Sequence, residues 1–134
     1  MGFQDETWWS RVSPPAVSAW AEAGQPPRLV AQAVPKGEPK ALACYGLLLP
    51  QEYNASWEHD EIWLRFVDGR PLSAVTTAFL GWCCERLGAQ GVRVWVLIWD
   101  NASWHLISAE VRAWLREHNR AVGRSAQGVR ILPC

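Results

Sequence analysis

The chain has 134 residues, of which 49% are hydrophobic and ten are tryptophan, and its 13 basic residues balance its 13 acidic residues. A chain of this length forms one domain, and its apolar content excludes intrinsic disorder. Because the net charge is zero, the chain as a whole has no field to hold it on nucleic acid, so any polyanion binding must come from a local patch.

The four cysteines form no CxxC pair, and two of them are adjacent: Cys44, Cys83, Cys84 and Cys134. This spacing predicts buried thiols in a reducing cytosol rather than a disulfide or zinc framework. We expect no secretory leader, and no apolar run approaches the ~18 residues of a membrane span. The sequence therefore predicts a cytoplasmic protein that is not in a membrane.

The first half of the chain predicts a run of strands. Gly2 to Arg11 is short and rich in aromatic residues, whereas Ser13 to Pro27 is typical of a loop because it is rich in proline, alanine and glycine. Three further strands are predicted, separated by polar segments and turns, at Arg28 to Val34, Ala41 to Pro50 and Ile62 to Val67.

A helical period begins at Pro71 and ends at Gly88. Its apolar residues recur at three- and four-residue spacing: Leu72, Val75, Phe79, Trp82, Cys83 and Leu87. A second helix is predicted from its N-cap, Ser108, to Gly123. Its buried stripe comprises Val111, Trp114, Leu115, His118 and Val122. A short strand, Gly128 to Leu132, follows.

The strongest strand signal is the apolar run that starts at Gly91 and ends on Asp100. Both of its faces are apolar, with Val92, Val94, Val96 and Ile98 on one and Trp95, Leu97 and Trp99 on the other. Such a strand is expected in the middle of a sheet with helices on each side. Strands followed by βαβαβ predict an α/β fold with a mixed sheet flanked by helices. Asp100 then lies at a strand's carboxyl end, where α/β folds place ligands.

Asp5 and Asp100 can meet if the first strand and this central strand are neighbours. Two carboxylates repel each other unless a cation lies between them, and hard oxygen ligands suit Mg²⁺ or Mn²⁺. A two-metal site of this kind supports phosphoryl transfer, but it needs a third carboxylate, and none is evident. From spacing alone, an aspartate at a strand end is more often a helix or loop cap than a metal ligand.

Four stretches carry a resemblance to a known family: FQDETWWSR, FVDGRP, VWVLIWDNASWH and WLREHNR. Over nearly the whole chain, the sequence resembles the bacterial insertion-sequence transposases related to mariner elements, in the DDE superfamily. The resemblance implies an RNase H-like catalytic domain that cuts and joins DNA at transposon ends with Mg²⁺ or Mn²⁺. It matches Asp5 and Asp100 to the first two catalytic, metal-binding acids, and Asn101 and His105 to supporting positions.

The chain departs from that family in features on which the family's activity depends. The family's third acid lies on a helix after the last strand, and no such motif precedes Cys134. Glu110 and Glu117 lie on the preceding helix, in the wrong place to substitute, and no helix-turn-helix fits before Asp5. We interpret residues 1–134 as a partial RNase H-like DDE catalytic domain that lacks its final helix. It should hold metal weakly, show little or no strand transfer alone, and have marginal solubility because a sheet face is uncovered.

Other residues have two interpretations each. Arg112, Arg116 and Arg120 recur every fourth residue, so they could clamp a DNA backbone or form an ordinary solvated helix face. Four tryptophans could stack on bases or pack in the core: Trp8, Trp9, Trp99 and Trp104. Glu6 should face away from Asp5 because side chains alternate along a strand. The polar segment 59–61 is expected to be solvated rather than a ligand cluster.

Three functions remain open at this point. The first is a DDE transposase catalytic-domain fragment, whose intact protein has transposon-end DNA as its partner. The second is an RNase H-like metal-dependent nuclease or resolvase, which still needs another acid. The third is a non-catalytic remnant that binds full-length transposase. A homo-oligomer is the other partner state that we consider.

Overall fold

The computed structural model describes residues 1–10, 36–53, 58–99 and 108–134. These residues form five strands, two α-helices and a 3-10 helix at Gln51–Tyr53. The bounds of the strands and α-helices are β1 (Gly2–Ser10), β2 (Ala41–Leu49), β3 (Glu61–Asp68), α1 (Ser73–Ala89), β4 (Val94–Ile98), α2 (Ala109–Ser125) and β5 (Arg130–Pro133). The loop predicted at 13–27 and the strand predicted at 28–34 lie outside the described residues.

The five strands form one mixed sheet in the order β3-β2-β1-β4-β5. β1 pairs with β2, and β2 with β3, in antiparallel ladders, whereas β1 pairs with β4, and β4 with β5, in parallel ladders. The helices α1 and α2 form the crossovers that parallel neighbours require. The mixed sheet and the pairing of the first strand with the central strand are therefore confirmed.

The core lies between one face of the sheet and both helices. Alternate residues of β2 and β4 are buried on that face, among them Tyr45, Leu47, Trp95 and Leu97, each at most 1% exposed. The helices bury against them Phe79, Leu80, Cys83, Cys84, Leu87, Val111 and Leu115. Burying a side chain of this size stabilises the fold by about 1.5–3 kcal/mol. This single apolar layer is what holds β1 and β4 in place.

The opposite face of the sheet, here called the open face, carries no helix within the described residues. Val94 is 50% exposed on that face, while Trp95 beside it is 1% exposed. The expectation that β4 is buried on both faces is therefore met on one face, because α1 and α2 both pack on the same side. Neither described helix is long and apolar enough to cross a bilayer.

Both helices continue past the glycines that were predicted to end them. α1 passes Gly88 and ends at Ala89, and α2 passes Gly123 and ends at Ser125. The left-handed turn after α2 is made by Ala126, with φ 55°. An exposed glycine inside a helix costs only about 1 kcal/mol, which the packing of the rest of the helix offsets.

The predicted start is confirmed for α2, whereas the predicted burial of Leu72 at the start of α1 is wrong. Ser108 is confirmed as the N-cap of α2, because its Oγ accepts a hydrogen bond from the backbone N of Val111 at 3.4 Å. Leu72, predicted in the buried stripe of α1, is 60% exposed. It is the extended N-cap residue of that helix, so it does not share the helical periodicity.

Candidate active site

Asp5 lies in the middle of β1 and projects from the open face. Its Oδ1 accepts a hydrogen bond from the backbone N of Glu6 at 2.8 Å. Gln4 and Glu6 are on the other face, where Gln4 is 2% exposed and its Nε2 donates to Glu6 Oε2 at 3.0 Å. The prediction that Glu6 faces away from Asp5 is confirmed, and it leaves Asp5 as the carboxylate of β1 on the open face.

Gly46 lies directly opposite Asp5 in the antiparallel ladder of β1 and β2. Because glycine has no side chain, nothing projects from the sheet at the cross-strand position beside the carboxylate. A Cβ built on Gly46 would lie 3.3 Å from Cδ2 of Leu64, whose side chain is 54% exposed and can shift. Sequence reasoning did not select Gly46, because its importance depends on the pairing of two distant segments.

The parallel ladder of β1 and β4 has a constant offset. Gly2 pairs with Leu97 and Phe3 pairs with Ile98, so the partner is 95 positions further along (97 − 2 and 98 − 3). Asp5 and Asp100 are separated by the same number of positions (100 − 5). Asp100, Asn101 and His105 lie outside the described residues, so their roles stay predictions.

The chemistry at Asp5 fits a hard divalent cation. Its carboxylate is exposed and stands beside a residue without a side chain, and oxygen ligands of this kind suit Mg²⁺ or Mn²⁺. Within the described ranges, however, no three His, Cys, Asp or Glu side chains are grouped so that they could hold a metal ion. Asp5 is therefore the one predicted ligand whose position is known.

The acidic residues at 60 and 61 are used in local hydrogen bonds. Asp60 Oδ1 accepts from the backbone N of Gln51 at 2.9 Å, and Glu61 Oε2 accepts from Trp63 Nε1 at 2.8 Å. The first bond joins the residue before β3 to the segment at Gln51, and the second lies within β3. They agree with the expectation that this segment is not a ligand cluster.

Arg112, Arg116 and Arg120 are exposed on α2, as their spacing predicts. Arg112 and Arg116 also line a groove of about 290 Å³ whose other walls are Leu115, Asn119 and Pro133. Pro133 pairs with Leu97 of β4, so the groove opens at the sheet edge where β4 ends. The two guanidinium groups therefore lie near the carboxyl end of β4.

The tryptophans near the site divide between core and surface. Trp99 is 7% exposed and belongs to the core, whereas Trp8 and Trp9 are 37% and 45% exposed. The guanidinium carbon of Arg70 lies 4.7 Å from the centre of the Trp8 ring, which is a cation–π contact. Trp104 lies outside the described residues.

The cysteines are free thiols with different exposures. Cys83 and Cys84 are buried in α1, and burial raises the pKa of both thiols, to about 12 for Cys84. Cys44 is half-buried and Cys134 is exposed, so the prediction of buried thiols is wrong for Cys134, which follows the short edge strand β5. Thiols whose pKa is raised are poor nucleophiles, so Cys83 and Cys84 are core residues.

Comparison with known proteins gives a match at the level of structure. No protein-family model and no curated protein matches the sequence. The chain superposes on the Mos1 transposase paired-end complex with left transposon end with a TM-score of 0.50 and 18% identity, over 99% of this chain and 34% of that chain. The chain has the fold of the Mos1 transposase catalytic domain.

Two further Mos1 structures superpose slightly less well. The Mos1 strand transfer complex gives a TM-score of 0.48 at 18% identity, and the Mos1 mariner paired-end complex with Mn gives 0.49 at 19% identity. Both cover 99% of this chain and 34% or 35% of the Mos1 chain. The chain thus spans about a third of the length of the Mos1 chains that it matches. The likeness to the first Mos1 structure is one of fold, the α/β fold with its mixed five-stranded sheet.

Proposed function

We propose that residues 1–134 are part of a DDE transposase-like catalytic domain that processes DNA, with Asp5 and Asp100 as its first two acids. The observation that carries the proposal is the ladder of β1 and β4. Its offset of 95 equals the separation of the two aspartates. Within the described residues this ladder ends at Phe3 and Ile98. We propose that the same register extends to Asp5 and Asp100, which would make the two aspartates lateral neighbours on the open face at about one strand spacing, ~4.8 Å.

Asp5 and Asp100 would be the ligands of Mg²⁺ or Mn²⁺. When bound, such an ion supplies a polarised phosphate oxygen and an activated water or hydroxyl for phosphoryl transfer. The absent side chain at Gly46 gives room for the ion and a phosphate beside Asp5. Because two carboxylates hold a divalent ion weakly, we expect weak metal binding by Asp5 and Asp100. Asn101 and His105 would support the pair from the following segment.

The proposal predicts metal binding that depends on both aspartates. In a calorimetric titration, the chain should bind Mn²⁺ or Mg²⁺ with a dissociation constant on the order of millimolar, and Asp5→Ala and Asp100→Ala should each abolish the signal. Glu6→Gln is the matched control, because it removes the adjacent carboxylate on the other face of β1. Unchanged binding by Asp5→Ala, or an equal loss in the control, would refute the role of Asp5.

We also propose that Arg112, Arg116 and Arg120 contact the phosphate backbone of DNA. The proposal is supported by the exposure of the three arginines and by the position of the groove, which lies where β4 ends. Replacing Arg112 and Arg116 with glutamine should lower the affinity for a DNA duplex by about tenfold at low salt and reduce the salt slope by about one per lost contact.

Fluorescence anisotropy over a salt series measures both quantities. Arg93→Gln is the control, because Arg93 is exposed and precedes β4 at the opposite edge of the sheet. A double variant with the wild-type salt slope, or a control that loses as much affinity, would contradict the proposed contacts.

A further inference from the structure

A pocket lies between α1 and the strands β2 and β3, on the face of the sheet that the helices cover. Its volume is about 320 Å³. Its floor is formed by Tyr45 and Phe79, which are buried and whose ring centres are 5.5 Å apart. Two small residues one turn apart on α1, Ala74 and Ala78, line its mouth and are exposed. Concave and mostly apolar spaces of this size hold small ligands, and the proposed function does not use this one.

One end of the pocket is positively charged. Arg65 lines the pocket, and it pairs with Tyr45 in the ladder of β2 and β3, so both side chains are on the same face of the sheet. The guanidinium carbons of Arg65 and Arg86 lie 5.2 Å and 5.1 Å from the centre of the Trp82 ring. That ring lies 5.7 Å from the Phe79 ring of the floor. The contacts of both guanidinium groups within the described residues are with indole rings, so an anion at this end of the pocket would be attracted by both charges.

We propose that this pocket binds a small aromatic carboxylate, with its ring against Tyr45 and Phe79 and its carboxylate beside Arg65. The fork of N–H groups on a guanidinium matches the two oxygens of a carboxylate and binds them more strongly than a neutral donor does. An aromatic ring would bury apolar surface on the aromatic floor. The other lining residues are alanine and valine, so an anion without an apolar body gains little there. The site is independent of the proposed role of Asp5, which lies on the open face.

Titration of the full chain with 2-naphthoate, followed by ligand-observed NMR, tests the proposal. We expect a dissociation constant on the order of millimolar or lower, as a ligand of about 13 non-hydrogen atoms allows. 2-Naphthamide has the same shape without the charge, so it should bind about tenfold more weakly. Arg65→Gln should weaken the binding of 2-naphthoate by about tenfold and leave that of 2-naphthamide unchanged. Arg70→Gln is the matched control, because Arg70 also stacks on an indole ring, that of Trp8, but does not line the pocket.

A second variant, Ala78→Leu, tests the pocket itself. Leucine is a good helix former, and at this exposed position its side chain would fill the pocket, so the binding of both ligands should be lost while circular dichroism shows a folded chain. Ala113→Leu, at an exposed position of α2, is its control and should bind as the wild type does. Should Ala78→Leu unfold, Ala74→Leu replaces it.

Three results would each overturn the proposal. The first is a folded wild-type chain that does not bind 2-naphthoate, whether because another part of the chain fills the pocket or because the pocket is too open to hold a ligand. The second is equal affinity for the acid and the amide, since the charge would then contribute nothing. The third is undiminished binding by the folded Ala78→Leu variant, because the ligand would then lie elsewhere.

Discussion

Asn119→Ala should lower the free energy of unfolding by about 2–3 kcal/mol, which is a fall of about 8–12 °C in Tm for a domain of this size. The side-chain amide of Asn119 makes both hydrogen bonds that a neighbouring strand would make with Ile131. Its Nδ2 donates to the carbonyl O of Ile131 at 2.8 Å, and its Oδ1 accepts from the backbone N of Ile131 at 2.9 Å. β5 is an edge strand, so no other strand pairs with that side of it.

His118, the residue before Asn119 on α2, also attaches that helix to the segment of β5. A ring nitrogen of His118, Nε2, lies 2.8 Å from the carbonyl O of Val129, so it donates a hydrogen bond just before β5 begins. Ile131 is fully buried, and its backbone groups lose their partner when the amide is removed. Unpaired buried backbone groups are costly, which is why a substitution at the half-buried Asn119 should have so large an effect.

Thermal unfolding and hydrogen exchange at the amide of Ile131 measure the result. Arg120→Ala, on the next residue of the same helix and exposed, should change Tm little. Asn119→Asp is informative because it keeps the acceptor for the Ile131 N–H but loses the donor to its carbonyl, so it should lie between the wild type and Asn119→Ala. A Tm for Asn119→Ala within about 1 °C of the control would show that β5 does not depend on this amide.

The sequence predicts those parts of the fold that have a local period. β2 alternates, α2 has an N-cap serine, and the αβαβ order after Pro71 follows from spacing alone. The ends of the helices follow less directly from the sequence, because Gly88 and Gly123 predict stops that α1 and α2 pass, and the left-handed turn after α2 is made by Ala126. Local chemistry sets a preference for the end of a helix, and packing can override it.

The candidate site was predicted in part, since Asp5 follows from the family resemblance and its exposure on β1. Gly46 and Gln4 were missed because their roles arise from pairing and burial. Gly46 matters as the partner of Asp5 across a ladder. Gln4 is buried beneath the helices, and its Oε1 has no hydrogen-bond partner among the described residues. The pairing of Gly46 with Asp5 joins residues that are far apart in sequence, so no short motif indicates it. The contact of Gln4 with Glu6 is local, but no short motif indicates it either.

Gly2→Val should destabilise the chain by about 3 kcal/mol, because there is no space for a side chain where β1 begins. A Cβ on Gly2 would lie 2.8 Å from Leu49 Cδ2, 2.9 Å from Trp95 Nε1 and 3.0 Å from Leu47 Cδ1. These three neighbours are at most 1% exposed, so none of them can move into solvent to relieve the contact. The cost should appear in urea unfolding as a lower midpoint with an unchanged slope.

Gly46→Ala is the matched control for this prediction in the same sheet. Its closest contact would be 3.3 Å, to Leu64, whose side chain is 54% exposed and can shift. We expect a change of no more than about 0.5 kcal/mol there. The double variant Gly2→Ala with Leu49→Ala should be less destabilised than the sum of its parts, because the smaller residue at 49 makes the room that the added methyl needs. Additive losses would contradict the crowding at Gly2.

A smaller substitution at the same residue, Gly2→Ala, links stability to the proposed site. Gly2 pairs with Leu97 in the ladder that, if extended three residues further along, would align Asp5 with Asp100. Crowding at Gly2 should therefore shift β1 relative to β4 and weaken Mn²⁺ binding by Gly2→Ala under conditions where the variant is still folded, while Gly46→Ala stays as stable as the wild type. If Gly2→Ala is destabilised but binds Mn²⁺ with wild-type affinity, then the ion does not depend on the β1–β4 register, and Asp5 and Asp100 are not its joint ligands.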